Sequence, residues 1–355
     1  MGNVANSYRR MIDARPSSLV SWTFFVLLWP FALLYRQIVV LRAFLYRCGT
    51  LTSYRAGVPV VSVGNLTVGG TGKTPVVDVL AKRLLAKGHK VALVSRGYGG
   101  RVKAFAQVSD GERLLAEPAA VGDEPCLLAR RNPGLKVYVA PRRAVGMRAA
   151  EVDGAEVILL DDGFQHLAVR RDLDIVLLDA RRPFGNGQLL PAGPLREPPS
   201  ALQRADLMIM THAGVNTPGA LPRHAPVMSC RPRLAERLVA LDGREWRWPD
   251  LAGKKVFAFA GIARPDDFFT AIRAQGVALA EALALHDHQQ YPCDPLNRLI
   301  QSCDNNSFVV TTEKDAVKLR AEEFPCPCLV VALELVFAEP DRLEEVLNRL
   351  LVKEK

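Results

Sequence analysis

Residues Gly69-Gly70-Thr71-Gly72-Lys73-Thr74 stand directly after the β-branched run Val58 to Val63. A strand, a glycine loop and a lysine in that order can cradle phosphate groups. Glycines let successive backbone N–H groups curl around an anion, the lysine reaches the β- and γ-phosphates, and the threonine hydroxyl can ligate a bridging magnesium ion. Pro75 fits the same geometry, because the first turn of a helix tolerates a residue without an N–H. The spacing therefore predicts a helix from Lys73 to about Lys87. The loop departs from the common form, which has glycine five places before the Gly-Lys pair; here that place is Thr67. Val68 stands where partitioning and metal-chaperone ATPases carry a lysine, which argues against that dimeric switch group.

A phosphate loop of this kind needs a sheet behind it. Val91 to Ser95, Val137 to Ala140, Val157 to Leu160, Ile175 to Leu178 and Leu207 to Met210 alternate with helical patterns. That alternation predicts an α/β, P-loop NTPase-like fold, its mostly parallel sheet carrying helices on both faces. Residues 51–215 form this core, and the proline-bearing stretch 216–233 reads as a linker. Val256 to Ala260, Phe308 to Thr311 and Leu329 to Leu333 then predict a smaller C-terminal α/β domain over 234–355, with an amphipathic closing helix at Asp341 to Leu351.

Composition bounds the rest. The chain has 355 residues, a net charge of +9 and 49% hydrophobic content, enough for one large or two ordinary domains. Residues 1–60 contain seven arginines, no lysine and the single acid Asp13, so two thirds of the excess charge lies at one end. Residues 16–35 carry no charge and include Trp22, Phe24, Phe25, Trp29 and Phe31. Basic flanks and aromatics around an apolar run point to a membrane, and its length would just span the hydrocarbon core. A span would carry Arg9, Arg10 and Arg15 away from the nucleotide side, against the positive-inside tendency, and Pro30 interrupts the run. The expectation is a membrane-associated helical segment over 1–50 lying in the interface, not a signal peptide, since no small-residue cleavage site follows. A nucleic-acid-binding ATPase would need its charge spread along a groove, so that class is disfavoured. Seven scattered cysteines fit a reducing compartment without structural disulfides.

Acids fall at the carboxyl ends of predicted strands, where such sheets place ligands. Asp161-Asp162 follow one strand and can hold magnesium directly or through water; Asp179 follows another and competes for the role. Asp123-Glu124 sit in a loop and could supply a general base, or be merely solvated. Arg196-Glu197 lie in a proline-rich loop, and Asp287-His288 could pair as base and orienter.

These segments together resemble a family. Gly64-Asn65 before the phosphate loop, Arg96-Gly97-Tyr98-Gly99, Gly122-Asp123-Glu124-Pro125, Asp161-Asp162-Gly163-Phe164-Gln165-His166 and Leu190-Pro191-Ala192-Gly193-Pro194-Leu195-Arg196-Glu197-Pro198 are similar to motifs of the tetraacyldisaccharide 4'-kinases, the lipid A kinases of Gram-negative bacteria. Ala260-Gly261-Ile262-Ala263-Arg264-Pro265, Asp287-His288 and Thr312-Glu313-Lys314-Asp315-Ala316-Val317-Lys318 continue the resemblance over about residues 15–350. It implies transfer of the γ-phosphate of ATP, with Mg2+, to the 4'-hydroxyl of a tetraacylated glucosamine disaccharide 1-phosphate at the cytoplasmic face of the inner membrane. It further implies that Gly69, Gly70, Thr71, Gly72, Lys73, Thr74 and Arg196 bind nucleotide, that Thr74, Asp161, Asp162 and Glu197 surround the metal, and that Asp123 is the base assisted by His288, with Lys73 also catalytic. At the histidine the order here is His286-Asp287-His288, where the family has Asp-His-His and then an aromatic residue, so His286 is the alternative partner. The competing reading is a membrane-attached P-loop NTPase that switches partners.

Overall fold

The computed structural model describes residues 18–212, 221–222, 224–286, 290–291 and 293–352. In chain order its elements begin with α1 (Leu19–Arg47), β1 (Val60–Asn65), α2 (Lys73–Ala86), β2 (Val91–Ser95), β3 (Ala106–Asp110), α3 (Pro118–Val121), α4 (Asp123–Arg131) and β4 (Lys136–Val139). Then come α5 (Arg143–Val152), β5 (Val157–Asp161), β6 (Leu173–Asp179), β7 (Leu207–Thr211), β8 (Val227–Ala240), β9 (Glu245–Arg247) and β10 (Lys255–Ala260). The remainder is α6 (Pro265–Arg273), β11 (Leu279–Ala284), α7 (Asp294–Gln301), β12 (Ser307–Thr312), α8 (Glu313–Ala316), β13 (Cys328–Phe337) and α9 (Pro340–Val352). The fold is the expected mostly parallel α/β arrangement.

Contacts divide the chain into two units, the first holding residues up to 96, 142–231 and from 337 on, the second 97–141 and 232–336. In the first unit β1 lies between β5 and β6 and pairs in parallel with both. Outward from these, β2 joins β5, β7 joins β6, and β8 joins β7, all parallel. Every residue of β1, β2, β5, β6 and β7 is buried, as strands covered on both faces must be. The carboxyl ends of β1, β5 and β6 thus face one side with Asn65, Asp161 and Asp179 as their last residues.

Helix α1 starts at a reciprocal cap, with the Ser18 hydroxyl accepting from the Ser21 N–H and the Ser21 hydroxyl accepting from the Ser18 N–H. Pro30 is accommodated inside it. At 1.5 Å per residue its 29 residues extend about 43 Å. It is long and apolar enough to cross a membrane. Only Ser21 and Ala32 of it are buried, while Trp22, Val26, Leu27, Phe31, Leu34 and Phe44 are exposed, so it is not a core helix. Tyr35 packs against the cluster of Leu66, Phe164, Leu195 and Met210.

In the second unit β10 pairs in parallel with β11 and β12, and β12 with β13; β8–β9 and β3–β4 are antiparallel. Alternation along β10 decides the layers. Val256, Ala258 and Ala260 meet Phe268, Phe269 and Ile272 of α6, whereas Phe257 and Phe259 meet Leu296 and Leu299 of α7.

The partition differs from the division expected from sequence in three places. Residues 97–141 group with 232–336, because α4 is tied to the β12–α8 region by Arg131–Glu313 at 2.9 Å and Glu124–Lys314 at 3.1 Å. Residues 227–233, expected in a linker, are strand: pairing of Met208 with Val227 and Thr211 with Cys230 continues the ladder past Pro226. The closing helix α9 belongs to the first unit, where Glu344 accepts Arg83 of α2 at 2.9 Å.

Leu343 and Leu347 of α9 are fully buried. Leu347→Ala is expected to destabilise the protein by about 2–5 kcal/mol in urea unfolding, while Glu345→Ala, whose side chain is 64% exposed, changes little.

Candidate active site

The phosphate loop of the first unit is organised by Asn65, the last residue of β1, which is fully buried. Its amide donates to Thr71 Oγ1 at 2.9 Å, its Oδ1 accepts from Lys73 Nζ at 3.4 Å, and its carbonyl accepts from Gln165 Nε2 at 2.8 Å. One side chain thus fixes both the loop and the lysine. Gly72 caps α2 with φ +84°, a left-handed conformation that glycine adopts without strain, and Lys73 and Thr74 occupy the first turn. The N–H groups of that turn have no helical partners, which leaves Gly69, Gly70, Thr71 and Gly72 with Lys73 as a ready anion cradle.

β5 delivers the acids. Asp161 is buried, its carboxylate accepting from Ser95 Oγ at 3.2 Å and its carbonyl from Arg143 Nη2 at 3.0 Å. Asp162 turns into left-handed backbone with φ +53°, and its carboxylate accepts Arg196 Nη1 at 2.7 and 2.9 Å, with Lys73 Nζ at 3.5 Å. Burial pushes the Asp162 carboxyl upward, but Lys73 and Arg196 outweigh it and hold the group below the usual carboxylate range. Asp179, the competing acid, is likewise ion-paired, with Arg181 at 3.2 Å.

Glu197 is buried and ion-paired with Arg204, whose guanidinium lies 4.5 Å from the centroid of Phe164. Among the described residues no three acidic, histidine or cysteine side chains converge as a preformed metal site. The oxygen donors Thr74, Asp161 and Asp162 still suit magnesium, which is commonly held by one or two carboxylates together with the phosphates themselves. Glu197 would have to share its carboxylate with Arg204 to join them.

In the second unit Asp123 opens α4, is buried, and meets Lys318 Nζ at 3.3 Å. It lines a cavity of about 520 Å³ with Tyr291 and Lys318. His288 and Asp287, expected beside it, lie outside the described residues.

Sequence reasoning did not assign roles to Asn65, Gln165 or Arg143. The first two sit inside the family-like motifs and were legible as neighbours of glycines and acids; Arg143 belongs to no motif, and only its burial against Asp161 marks it. Burial lowers its guanidinium to about 10, with Asp161 and Asp162 opposing that shift, so it remains charged at neutral pH.

His166 ends the acidic motif. Burial, then the positive charges of Arg143 and Arg42, push its imidazole down from 6.5 to about 4. Its folded-state value lies below its unfolded one, so the unfolded chain takes up the proton first. The stability it supports is present above about pH 6.5 and lost as pH falls toward 4. Thermal unfolding across that window should fall more steeply for wild type than for His166→Gln; parallel curves would refute the assignment.

A sequence model of the family described as tetraacyldisaccharide-1-P 4'-kinase matches residues 24–352. Proteins named tetraacyldisaccharide 4'-kinase are similar to the chain: that of Syntrophotalea carbinolica is 47% identical over 100% of both chains, and that of Geobacter metallireducens 42% identical over 92% of this chain and 97% of its own. The crystal structure described as the apo form of LpxK from Aquifex aeolicus in complex with ATP superposes with a TM-score of 0.78 at 32% identity, covering 90% of this chain and 97% of that one. The phosphate loop that lacks its first glycine and the Asp-Asp-Gly-Phe-Gln-His turn beside it are therefore read in a full-length context, and the chain belongs to the tetraacyldisaccharide-1-P 4'-kinase family.

Proposed function

We propose that the chain is an ATP-dependent lipid kinase that transfers the γ-phosphate to the 4'-hydroxyl of a tetraacylated glucosamine disaccharide 1-phosphate, a step in lipid A biosynthesis. The observation that carries this reading is the Asn65–Lys73–Asp162–Arg196 cluster at the head of α2, within a chain of this family. Phosphoryl transfer asks for positioning and charge neutralisation more than for covalent chemistry. Lys73 and the N–H groups of the loop hold the phosphates, with Arg196 adding positive charge next to them. Thr74, Asp161 and Asp162, joined by Glu197, would hold Mg2+, which neutralises charge on the phosphates when bound. Asp123 accepts the proton of the sugar hydroxyl, assisted by His288.

Helix α1 supports the choice of substrate. An acylated sugar stays in the bilayer, so its kinase must reach the membrane surface. An exposed apolar helix with Arg36, Arg42 and Arg47 along its second half fits the cytoplasmic face of the inner membrane, where anionic headgroups and the substrate's own phosphate favour arginine. Its part-buried Tyr35 donates to the Arg196 carbonyl at 3.0 Å, which is easier to reconcile with a helix lying along the interface than with a free span.

Labelled γ-phosphate from magnesium-ATP should appear in the disaccharide lipid in mixed micelles with wild type, and not with Lys73→Ala or Asp123→Ala of unchanged fold. Steady ATP hydrolysis without labelled lipid would favour a membrane-attached switch. Removing residues 18–35 should reduce sedimentation with anionic vesicles; undiminished sedimentation would place the membrane contact elsewhere.

A further inference from the structure

Two motifs of the second unit meet around Asp315 and, through Lys318, reach Asp123. Asp315, in α8, is completely buried. Its Oδ2 accepts the Gly261 N–H at 3.0 Å and the Thr312 hydroxyl at 2.7 Å, and its Oδ1 accepts the Tyr291 hydroxyl at 2.8 Å. Three donors on a carboxylate with no solvent access leave it a single orientation. Gly261 is required there, because a Cβ would come within 2.7 Å of the Tyr291 hydroxyl and 2.8 Å of Asp315 Oδ1. Burial and the Asp315 charge push the Tyr291 phenol well above its ordinary value, so it stays a donor to Asp315.

Lys318 stands on this platform. Its ammonium is 3.8 Å from Asp315 Oδ1, 4.5 Å from the Tyr291 ring centroid and 3.3 Å from Asp123 Oδ2, and its side chain is 12% exposed. An ammonium so enclosed, with an anchored carboxylate on one side and an aromatic face on another, is a fixed point charge rather than a roaming one. Asp123 therefore meets a cation whose position is set by Asp315, Thr312 and Gly261.

We infer that Lys318, anchored by Asp315 and Tyr291, is a positioning residue that orients the Asp123 carboxylate for phosphoryl transfer. The inference rests on Asp123 being the base. A carboxylate held at one angle accepts the sugar proton along one line, and misplacement of a reacting group by about 1 Å is enough to cost about 100-fold in rate. The ammonium 3.3 Å away also gives the carboxylate a Coulomb partner that a neutral side chain would not supply. Among the described residues, Arg130 on its own helix, Arg101 and Glu117 from the preceding segment and Arg320 beyond Lys318 line the cavity of Asp123, and the Glu124–Lys314 pair lies next to it.

The test uses full-length enzyme in mixed micelles with magnesium-ATP and the tetraacylated disaccharide 1-phosphate, and compares Lys318→Met, Lys318→Arg and Asp123→Asn. Lys318→Met should lower kcat about 10- to 100-fold while KM for ATP stays within about threefold. The acid limb of its kcat–pH profile should move to higher pH, since the carboxylate loses its cation. Lys318→Arg should recover most of the rate and return the limb. Circular dichroism melting of each variant confirms that folded protein is compared. A wild-type kcat and unmoved limb in Lys318→Met, or a loss that leaves the limb unmoved and that arginine does not restore, would overturn the inference. If Asp123→Asn is inactive while Lys318→Met is normal, only the role of Lys318 falls; if Asp123→Asn keeps wild-type turnover, the base assignment beneath it falls too.

Discussion

Charge that must be gathered at one end of a parallel sheet is the constraint on which the first unit depends. Five strands whose every residue is buried must pair the ionisable groups they carry: Asp174, near the start of β6, meets Arg171, and the remaining acids, Asp161 and Asp179, stand at carboxyl ends. There the protein sets Asp162 against Lys73 and Arg196, which hold its carboxyl below the usual range, while the buried Arg143 donates to the Asp161 carbonyl. The left-handed backbone at Asp162 is part of the same arrangement, since it turns that carboxylate toward Arg196 and Lys73 while Asp161 faces Ser95.

Asn65 shows how a neutral group completes a charged site. A buried amide has one acceptor and one donating end, and here each has a defined use, toward Lys73 and toward Thr71. Its carbonyl holds Gln165 of the acidic turn, so the glycine loop and the turn that bears Asp162 are joined through one residue. Helix α1 reaches the same two segments from outside: Tyr35 donates to the Arg196 carbonyl and Arg42 to the Gln165 carbonyl, at 3.0 and 3.3 Å. An apolar helix suited to a membrane is thereby hydrogen-bonded to the segments that carry Arg196 and Asp162.

The second unit solves a related problem with different means. Asp315 is anchored by backbone and hydroxyl donors, and Lys318 transmits that order to Asp123. Both units hold one ionisable side chain at the start of a helix by a counter-charge that is itself held elsewhere, Lys73 by Asp162 and Asp123 by Lys318.

Sequence alone determined the strands with continuous apolar runs, the phosphate loop before α2, the acids at the end of β5 and the exposed apolar helix, because each is written in consecutive residues whose spacing has one physical reading. It did not determine β3, β8, β9 or β11, whose short or alternating and partly exposed residues become strand only through their neighbours' hydrogen bonds. Nor did it show that residues 97–141 pack with 232–336, since the ion pairs that join them link positions almost two hundred residues apart. The meeting of Asp162 with Lys73 and Arg196, the commitment of Glu197 to Arg204, and the convergence of Gly261, Tyr291 and Asp315 were likewise decided by tertiary structure. Covalent order sets which groups are available, but only the folded chain sets which charges meet, and electrostatic and hydrogen-bonding preferences are properties of those meetings.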